Sequence, residues 1–403
     1  MNGWIGSRRE LLGVLGMLPL VPLAGCNRNP MGNSATPLRF WGTGTLDVGT
    51  QNWQRAEQDA HVRITFEDNG NDIGPVIARM VSGTAAMDFD IGGVQGGAEP
   101  EMFKAGAIIP WKLEQVPQWT TLWEWVKSIP YLTVDGQQIG IPVVVNADSM
   151  IYRQGTTGIV DSYASVFDRA FKGRTAMEDS WMNSVIFTAI FMKSANIDGM
   201  ARIQDPGNLD PDDLGTVIEF LKKQKKDGQF YKFWNGWQEG VDLITSGKVV
   251  VMTGWEPIVY RARDLGANDV KYAVPVEGYE GWSNNIVLHK GVQSPEKVRL
   301  GTAEAAHRFV NWQLSGFYGC ILGSLRGYMV PTPLCIDLLQ KGPLSFYDLN
   351  KGQNASIQVG DAQTLTQHVR EKFEKRRGQI YWQNARPKHY TLYQRLWAEL
   401  RTL

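Results

Sequence analysis

GQQIGIPVVVNADSMIYR, Gly136 to Arg153, is the stretch on which the fold turns. It reads as extended, β-rich chain around Pro142, and the patterns on its two sides differ. Before it, short strands alternate with helices. PLRFWGTG (Pro37 to Gly44) is a strand running into a Gly-rich loop. A helical stretch over Asn52 to Ala60, a strand over Val62 to Glu67 and a helix near Ile73 to Val81 follow. MDFDIGGVQGG (Met87 to Gly97) comes next. Such alternation indicates βαβ units and a mostly parallel sheet. After the stretch, helical patterns begin at Tyr163 and cover Trp181 to Lys193, Asp210 to Lys226 and Gly236 to Ser246. Pro211 after Asp210 is a helix start signal.

A strand then ends in SGKVVVMTGWEPIVY (Ser246 to Tyr260), and WSNNIVLHKG (Trp282 to Gly291) is a second extended run. Helical patterns close the chain over Pro295 to Ser315, Asp361 to Lys375 and Lys388 to Leu400. The chain therefore builds one α/β lobe, crosses near Pro142 to Asn146, builds a second, and crosses back near Asn284 to His289. Two crossings make a hinge, and lobes paired about a hinge make a cleft that can close on a ligand. The expected division is 38–143 with 285–330 for lobe 1, and 144–284 with 331–403 for lobe 2.

Composition narrows the function classes. Lys+Arg and Asp+Glu are 41 each in 403 residues, so no net field points to nucleic acid. Hydrophobic content of 43% and charged content of 20% suit a chain that buries a core. The 15 Trp suggest aromatic-lined surfaces as well as core.

The first 25 residues read as a signal peptide. SRRELLG (Ser7 to Gly13) places two arginines before an apolar run from Leu11 to Ala24. That run is short of the roughly 20 residues that span a bilayer. It fits the apolar core of an export signal of twin-arginine type, with Leu11 where such signals usually have Phe. LAGC (Leu23 to Cys26) resembles a lipobox, with Cys26 lipidated and becoming the mature N-terminus. Residues 26–37, rich in Asn, Pro and Gly, read as a tether. Cys320 and Cys335 are the other cysteines. Nothing in the sequence shows that they face each other, so two buried thiols are the expectation, with oxidation open to an exported chain.

No H-E-x-x-H, G-x-S-x-G or Walker A pattern occurs, and none of His61, His289, His307, His368 and His389 stands at metal-ligand spacing from another. No catalytic residue, metal or cofactor is expected. What the chain offers instead is aromatics at strand ends: Trp41, Trp255, Trp282, Tyr328, with Trp181 and Trp382 as further candidates. Glu256 and Asp179 lie near them in the pattern. Ring faces attract an organic cation by roughly 0.5–2 kcal/mol each, and a carboxylate orients it. For each ring the competing reading is core packing, and for Trp181 the two are balanced.

These pieces, in order, resemble the periplasmic solute-binding proteins of ABC importers, most closely the spermidine/putrescine-binding branch. The resemblance runs through FWGTG (Phe40 to Gly44), MDFDIGG, QIGIPVVVNADSMIYR and FDRAFKGRTAMEDS (Phe167 to Ser180). It continues through SGKVVVMTGW, PVEGYEGWSNNIVL (Pro275 to Leu288), GYMVPTP (Gly327 to Pro333) and YWQN (Tyr381 to Asn384). It implies an α/β periplasmic-binding-protein fold of two lobes. It also implies ligand contacts at Trp41, Thr43, Asp179, Ser180, Asn183, Trp255, Trp282, Asn284 and Gln383. Glu256 and Tyr328 join them from the aromatic pattern. Two departures matter: the family's carboxylates at Asn284 and near Asn183 are amides here. Each ammonium of a polyamine wants a partner once desolvated, so a monocation, a zwitterion or a neutral polar solute fits this set better.

The resemblance implies a monomeric, lipid-anchored receptor that passes a small amine-bearing solute to an ABC permease and its ATPase. The competing classes are an exported hydrolase-like enzyme using Asp179 and Glu256, and a binder of a larger partner through Trp119, Trp123 and Trp125. Absent nucleophile–base patterns disfavour the enzyme, and packing of an amphipathic helix accounts for the three Trp.

Overall fold

Strand β1 (Thr36–Gly42) shows how one sheet serves two cores. Successive side chains in a strand point to opposite faces. Phe40 enters a large apolar cluster with Trp53, Phe309 and Tyr318, while Trp41 enters a separate one with Ile77, Met80 and Phe89. Helices α1 (Thr50–Ala60) and α2 (Ile73–Val81) connect β1 to the parallel strands β2 (Val62–Asp68) and β3 (Ile91–Gln95). The βαβ reading of this region therefore holds.

The structure, a computed structural model, describes residues 35–70, 73–328, 330–360 and 379–403. The export signal, Cys26, most of the tether and the helix expected over Asp361 to Lys375 lie outside the described residues. The tether was expected to reach Pro37, but β1 already begins at Thr36, whose N–H donates to the His61 carbonyl at 2.9 Å.

The opening stretch forms one long strand, β4 (Ile141–Arg153), buried along nearly all its length. A run rich in Val and Ile suits a strand covered on both sides. It then changes partners. Residues Ile141–Asp148 pair with β8 (Tyr279–His289), and Ser149–Tyr152 pair with β7 (Val251–Gly254). Strands β5 (Thr175–Glu178) and β6 (Phe230–Trp234) extend the sheet on that side in parallel with β7. The order is β2-β1-β3-β8-β4-β7-β5-β6, and β4 and β8 are the antiparallel pair at its centre. A third strand, β9 (Ile380–Trp382), lies parallel to the start of β8.

Helix α3 (Trp181–Ser194) is apolar all round and buried over most of its length, as a core helix must be. Ser180 caps it by accepting the Asn183 N–H at 3.3 Å. Helix α4 (Pro211–Lys226) starts at Asp210, which accepts the Asp213 N–H at 2.9 Å. These two, with α7 (Tyr390–Arg401), enclose a third core that includes Val185, Leu214 and Trp397. Helix α5 (Glu256–Asp264) follows β7. The helix expected over Pro295 to Ser315 is two, Pro295–Arg299 and Thr302–Gln313, parted at Gly301, whose φ of 65° breaks the turn. Helix α6 (Phe317–Arg326) carries Cys320, which is disulfide-bonded to Cys335 with their Cα atoms 5.2 Å apart. The expectation of two thiols is corrected: the chain turns back at Gly327, in the left-handed conformation, and brings the second cysteine beside the first.

Candidate functional site

A cleft of about 1780 Å³ opens where the strand ends meet the crossing strands. Thr43 follows β1, Gln95 ends β3, Glu178 ends β5 and Trp255 follows β7. Ligand sites in open α/β sheets lie beyond the carboxyl ends of strands for this reason. The crossing strands supply Asp148, Trp282 and Asn284 to the same cleft, and the segment after β9 supplies Gln383.

Of the residues expected from sequence, Thr43, Asp179, Ser180, Asn183, Trp255, Trp282, Asn284, Tyr328 and Gln383 line this cleft. Trp41 and Glu256 do not. Trp41 is one residue short of the end of β1, so the period of two turns it to the far face. There it stacks on Phe89 at 5.5 Å, with the Arg79 guanidinium 4.6 Å from its ring. Glu256 is the first residue of α5 and is buried there, where a carboxylate complements the helix N-terminus. The Tyr260 hydroxyl donates to it at 3.3 Å. Trp382 is half-buried among Trp123, Trp125 and Tyr279.

The aromatic walls are held by other side chains. Trp255 meets the fully buried Trp234 edge-on at 5.2 Å. Trp282 meets Tyr328 at 5.0 Å, nearly perpendicular, and its indole N–H donates to Asp148 Oδ2 at 2.8 Å. A ring fixed on its edge keeps its face available to a ligand.

Three carboxyls that sequence reading did not single out stand here: Asp148 and Glu178 line the cleft, and Glu280, fully buried, faces Asp148 in the ladder between β8 and β4. Glu178 accepts hydrogen bonds from the Asn183 amide and the Trp255 indole. Gln383 Nε2 donates to Glu280 Oε1 at 2.8 Å and to the Asn183 carbonyl oxygen, and Gln95 donates to Gln383. One amide network thus joins β3, the segment after β9, α3 and β5. Burial pushes the Glu178 carboxyl up to about 8, against the lowering effect of the Asn183 amide. Burial, and then the charges of Asp148 and Glu178, hold Glu280 well above the usual carboxylate range.

Asp179, next to Glu178, has a different setting. Its Oδ1 accepts the Trp397 indole N–H at 3.1 Å, and its Oδ2 lies 3.2 Å from Arg401. Among the described residues no group of three or more His, Cys, Asp or Glu could hold a metal ion, and no helix is long and apolar enough to cross a membrane. Carboxyl groups beside ring faces suit an organic cation in particular.

Comparison with known proteins bears on this arrangement. Residues 53–315 match the model of the bacterial extracellular solute-binding protein family, more than half of the chain. A putrescine/agmatine-binding protein of Pseudomonas aeruginosa is 23% identical over 229 residues, which are 52% of this chain and 58% of that protein. The match thus spans less than two thirds of that relative's length. Among solved structures, the spermidine/putrescine ABC transporter substrate-binding protein of Streptococcus pneumoniae superposes with a TM-score of 0.66 at 11% identity, over 91% of this chain and 99% of that one. A lipoprotein of Treponema pallidum superposes with a TM-score of 0.63 at 12% identity, over 91% and 100%. These likenesses are of fold. The extent of the family match sets aside the enzyme reading: the chain belongs to the bacterial extracellular solute-binding protein family.

Proposed function

We propose that the chain is the receptor of an ABC importer, anchored through a lipid on Cys26, and that it captures a small amine-bearing cation for a permease and its ATPase. The observation that carries the ligand class is the cleft floor, where Asp148 and Glu178 lie among Trp255, Trp282 and Tyr328. Two carboxylates among ring faces recognise an ammonium by charge and by cation–π attraction together. The family's carboxylates missing at Asn183 and Asn284 are replaced, on this reading, by acids on β4 and β5. The likeness to a putrescine/agmatine-binding protein supports the same class.

The ligand contacts on this proposal are Trp255, Trp282, Tyr328, Glu178 and Asp148, with Thr43, Asn183, Asn284 and Gln383 supplying neutral hydrogen bonds. Ser180 acts through its cap on α3. The lobes close about β4, β8 and the segment after β9, and the receptor works as a monomer.

The test is calorimetry of the mature chain with putrescine, agmatine, spermidine and a neutral sugar of similar size. Binding of one or more amines with no response to the sugar is the expected result. Binding of the sugar alone would sink the amine assignment. For the anchor, Cys26→Ser is expected to move the protein from the membrane to the free fraction. Unchanged fractionation would sink the lipobox reading.

A further inference from the structure

The disulfide between Cys320 on α6 and Cys335 lines the same cleft as the ligand contacts. Its ends are 15 residues apart in sequence, and the ring it closes carries Gly327, Tyr328, Val330 and Thr332. Glycine lets the two arms of that ring approach. A Cβ at Gly316 would lie 2.6 Å from the Leu334 carbonyl oxygen, and one at Gly319 would lie 3.2 Å from the Val330 side chain. Tyr328 follows the turn at Gly327, and its ring meets Trp282 at 5.0 Å, nearly perpendicular. Cys320, Trp282, Tyr328 and Cys335 pack in one apolar cluster. The covalent bond and this aromatic wall are therefore parts of one packed unit.

Weaker contacts hold the same arm. The Trp123 N–H donates to the Pro331 carbonyl at 3.1 Å, and the Thr121 and Thr332 hydroxyls are hydrogen-bonded at 3.2 Å. They grip the arm past Tyr328, so opening the disulfide leaves the arm docked and frees chiefly the part that carries Tyr328. A disulfide removes conformations from the chain it closes. A side chain that has regained them must be ordered again when ligand binds, and that cost is subtracted from affinity. Cys320 is 3% exposed, whereas Cys335 is half-buried, so thiol–disulfide exchange enters at the Cys335 Sγ.

We propose, resting on the amine site above, that Cys320 and Cys335 are positioning residues for Tyr328 and make ligand capture depend on redox state. Oxidised, the pair holds Tyr328 against Trp282 as a finished wall. Reduced, the ligand itself must order that wall, and affinity falls. Forming the bond takes two electrons and two protons from the Cys320 and Cys335 thiols. The acceptor is another disulfide, of a small thiol or of an oxidoreductase, which leaves as two thiols. Thiols persist in a reducing compartment and disulfides in an oxidising one. A chain exported from the first to the second gains its full affinity only after export. By linkage, ligand favours the oxidised form by the same factor by which oxidation favours ligand.

The experiment is calorimetry of putrescine binding to the mature chain, oxidised and then reduced with a phosphine. Reduction is expected to weaken binding by about three- to tenfold, and re-oxidation with glutathione disulfide to restore it. The double variant Cys320→Ala, Cys335→Ala is expected to bind like the reduced chain. In glutathione buffers, saturating putrescine is expected to lower the midpoint potential of the pair by the matching amount, about 15–30 mV for two electrons. A general loss of stability would not single out Tyr328, so Tyr328→Leu is measured in both redox states. Its two states are expected to agree within about twofold, and a redox effect that survives in it overturns the positioning role. Equal affinity of the oxidised and reduced wild type overturns the redox dependence and leaves the amine reading intact. If putrescine and agmatine bind in neither state, the amine reading falls. Fluorotyrosine NMR of the ligand-free chain then decides whether the disulfide holds Tyr328. The resonance missing in Tyr328→Phe is expected to move toward the position of free fluorotyrosine on reduction, and an unmoved resonance overturns the proposal.

Discussion

The two walls of the cleft are built from similar strand ends yet differ in charge. On the wall formed by β5, β7 and α3, the inward groups are Glu178, Asn183 and Trp255. On the wall formed by β1 and β3 they are Thr43, Asn69 and Gln95, which are hydroxyl and amide. The acids of that second side sit apart from the floor. Asp68 is exposed, and Asp348 accepts N–H groups of its own turn from Asn350 and Lys351 at 2.9 and 3.3 Å. The difference teaches that this cleft concentrates charge on one wall and on the crossing strands. The other wall offers neutral donors and acceptors, which cost little to desolvate when they find partners.

The sharpest way to break that comparison is Trp255→Ala. It removes a ring face from the charged wall and a donor from Glu178. Amine affinity is expected to fall by about 2–4 kcal/mol, and Trp255→Phe by less. Titration calorimetry with putrescine reads both. Wild-type affinity in the alanine variant would mean that the ligand sits against another wall.

A second test uses stability. A carboxyl whose folded pKa is raised, as Glu178 is to about 8, contributes stability that is fully present below its unfolded value. That stability is lost as pH rises through the folded value. Glu178→Gln abolishes the titration and keeps an acceptor for Asn183. Its ligand-free form is expected to gain on the wild type between pH 5 and pH 8. Glu178 is partly open to the cleft, so the gain is set at roughly 1–3 kcal/mol. Denaturant midpoints at the two pH values decide it, and a constant difference between the two proteins would contradict the raised titration.

The third test puts charge on β8, beside the neutral wall. Asn284 lines the cleft and pairs with Gln95 across β8 and β3. Asn284→Asp supplies a partner for a second ammonium, and is expected to favour putrescine over a monoamine by about 1 kcal/mol. Equal change for both ligands would show that only one end of the ligand is charged or held.

Sequence made the long central strand readable because its signature is local: an unbroken apolar run such as Val143–Val145 means a strand covered on both faces. Strand ends were readable too, through Gly42 and Gly254 before Thr43 and Trp255. The floor was not. Asp148 is held there by the Trp282 indole, and that depends on the register between strands more than 130 residues apart, which no local pattern encodes. Trp41 misled for a smaller reason, one residue of strand length. The disulfide depended on a turn at Gly327 that is unremarkable in sequence.

Asp179 gives the smallest expected effect and the finest test. It adjoins Glu178, lines the same cleft, and matches the resemblance that Glu178 does not. Its N–H donates to the Trp234 carbonyl at 2.7 Å as β5 ends, and its carboxylate is held by Trp397 and Arg401. The Arg401 side chain is 62% exposed, so this pair is worth about 0–1 kcal/mol. Asp179→Asn keeps an acceptor for the Trp397 indole and is expected to leave amine affinity within about twofold of wild type, with a stability loss under about 1 kcal/mol. Glu178→Gln measured beside it, on the same ligand at pH 8, is expected to lose about 1.5–3 kcal/mol of affinity, because it removes a charged acceptor from the ammonium. The contrast between neighbouring residues isolates which carboxylate meets the ligand. If Asp179→Asn is the weaker binder of the two, the family position is the cation's partner, and Glu178 serves only to hold Asn183 and Trp255.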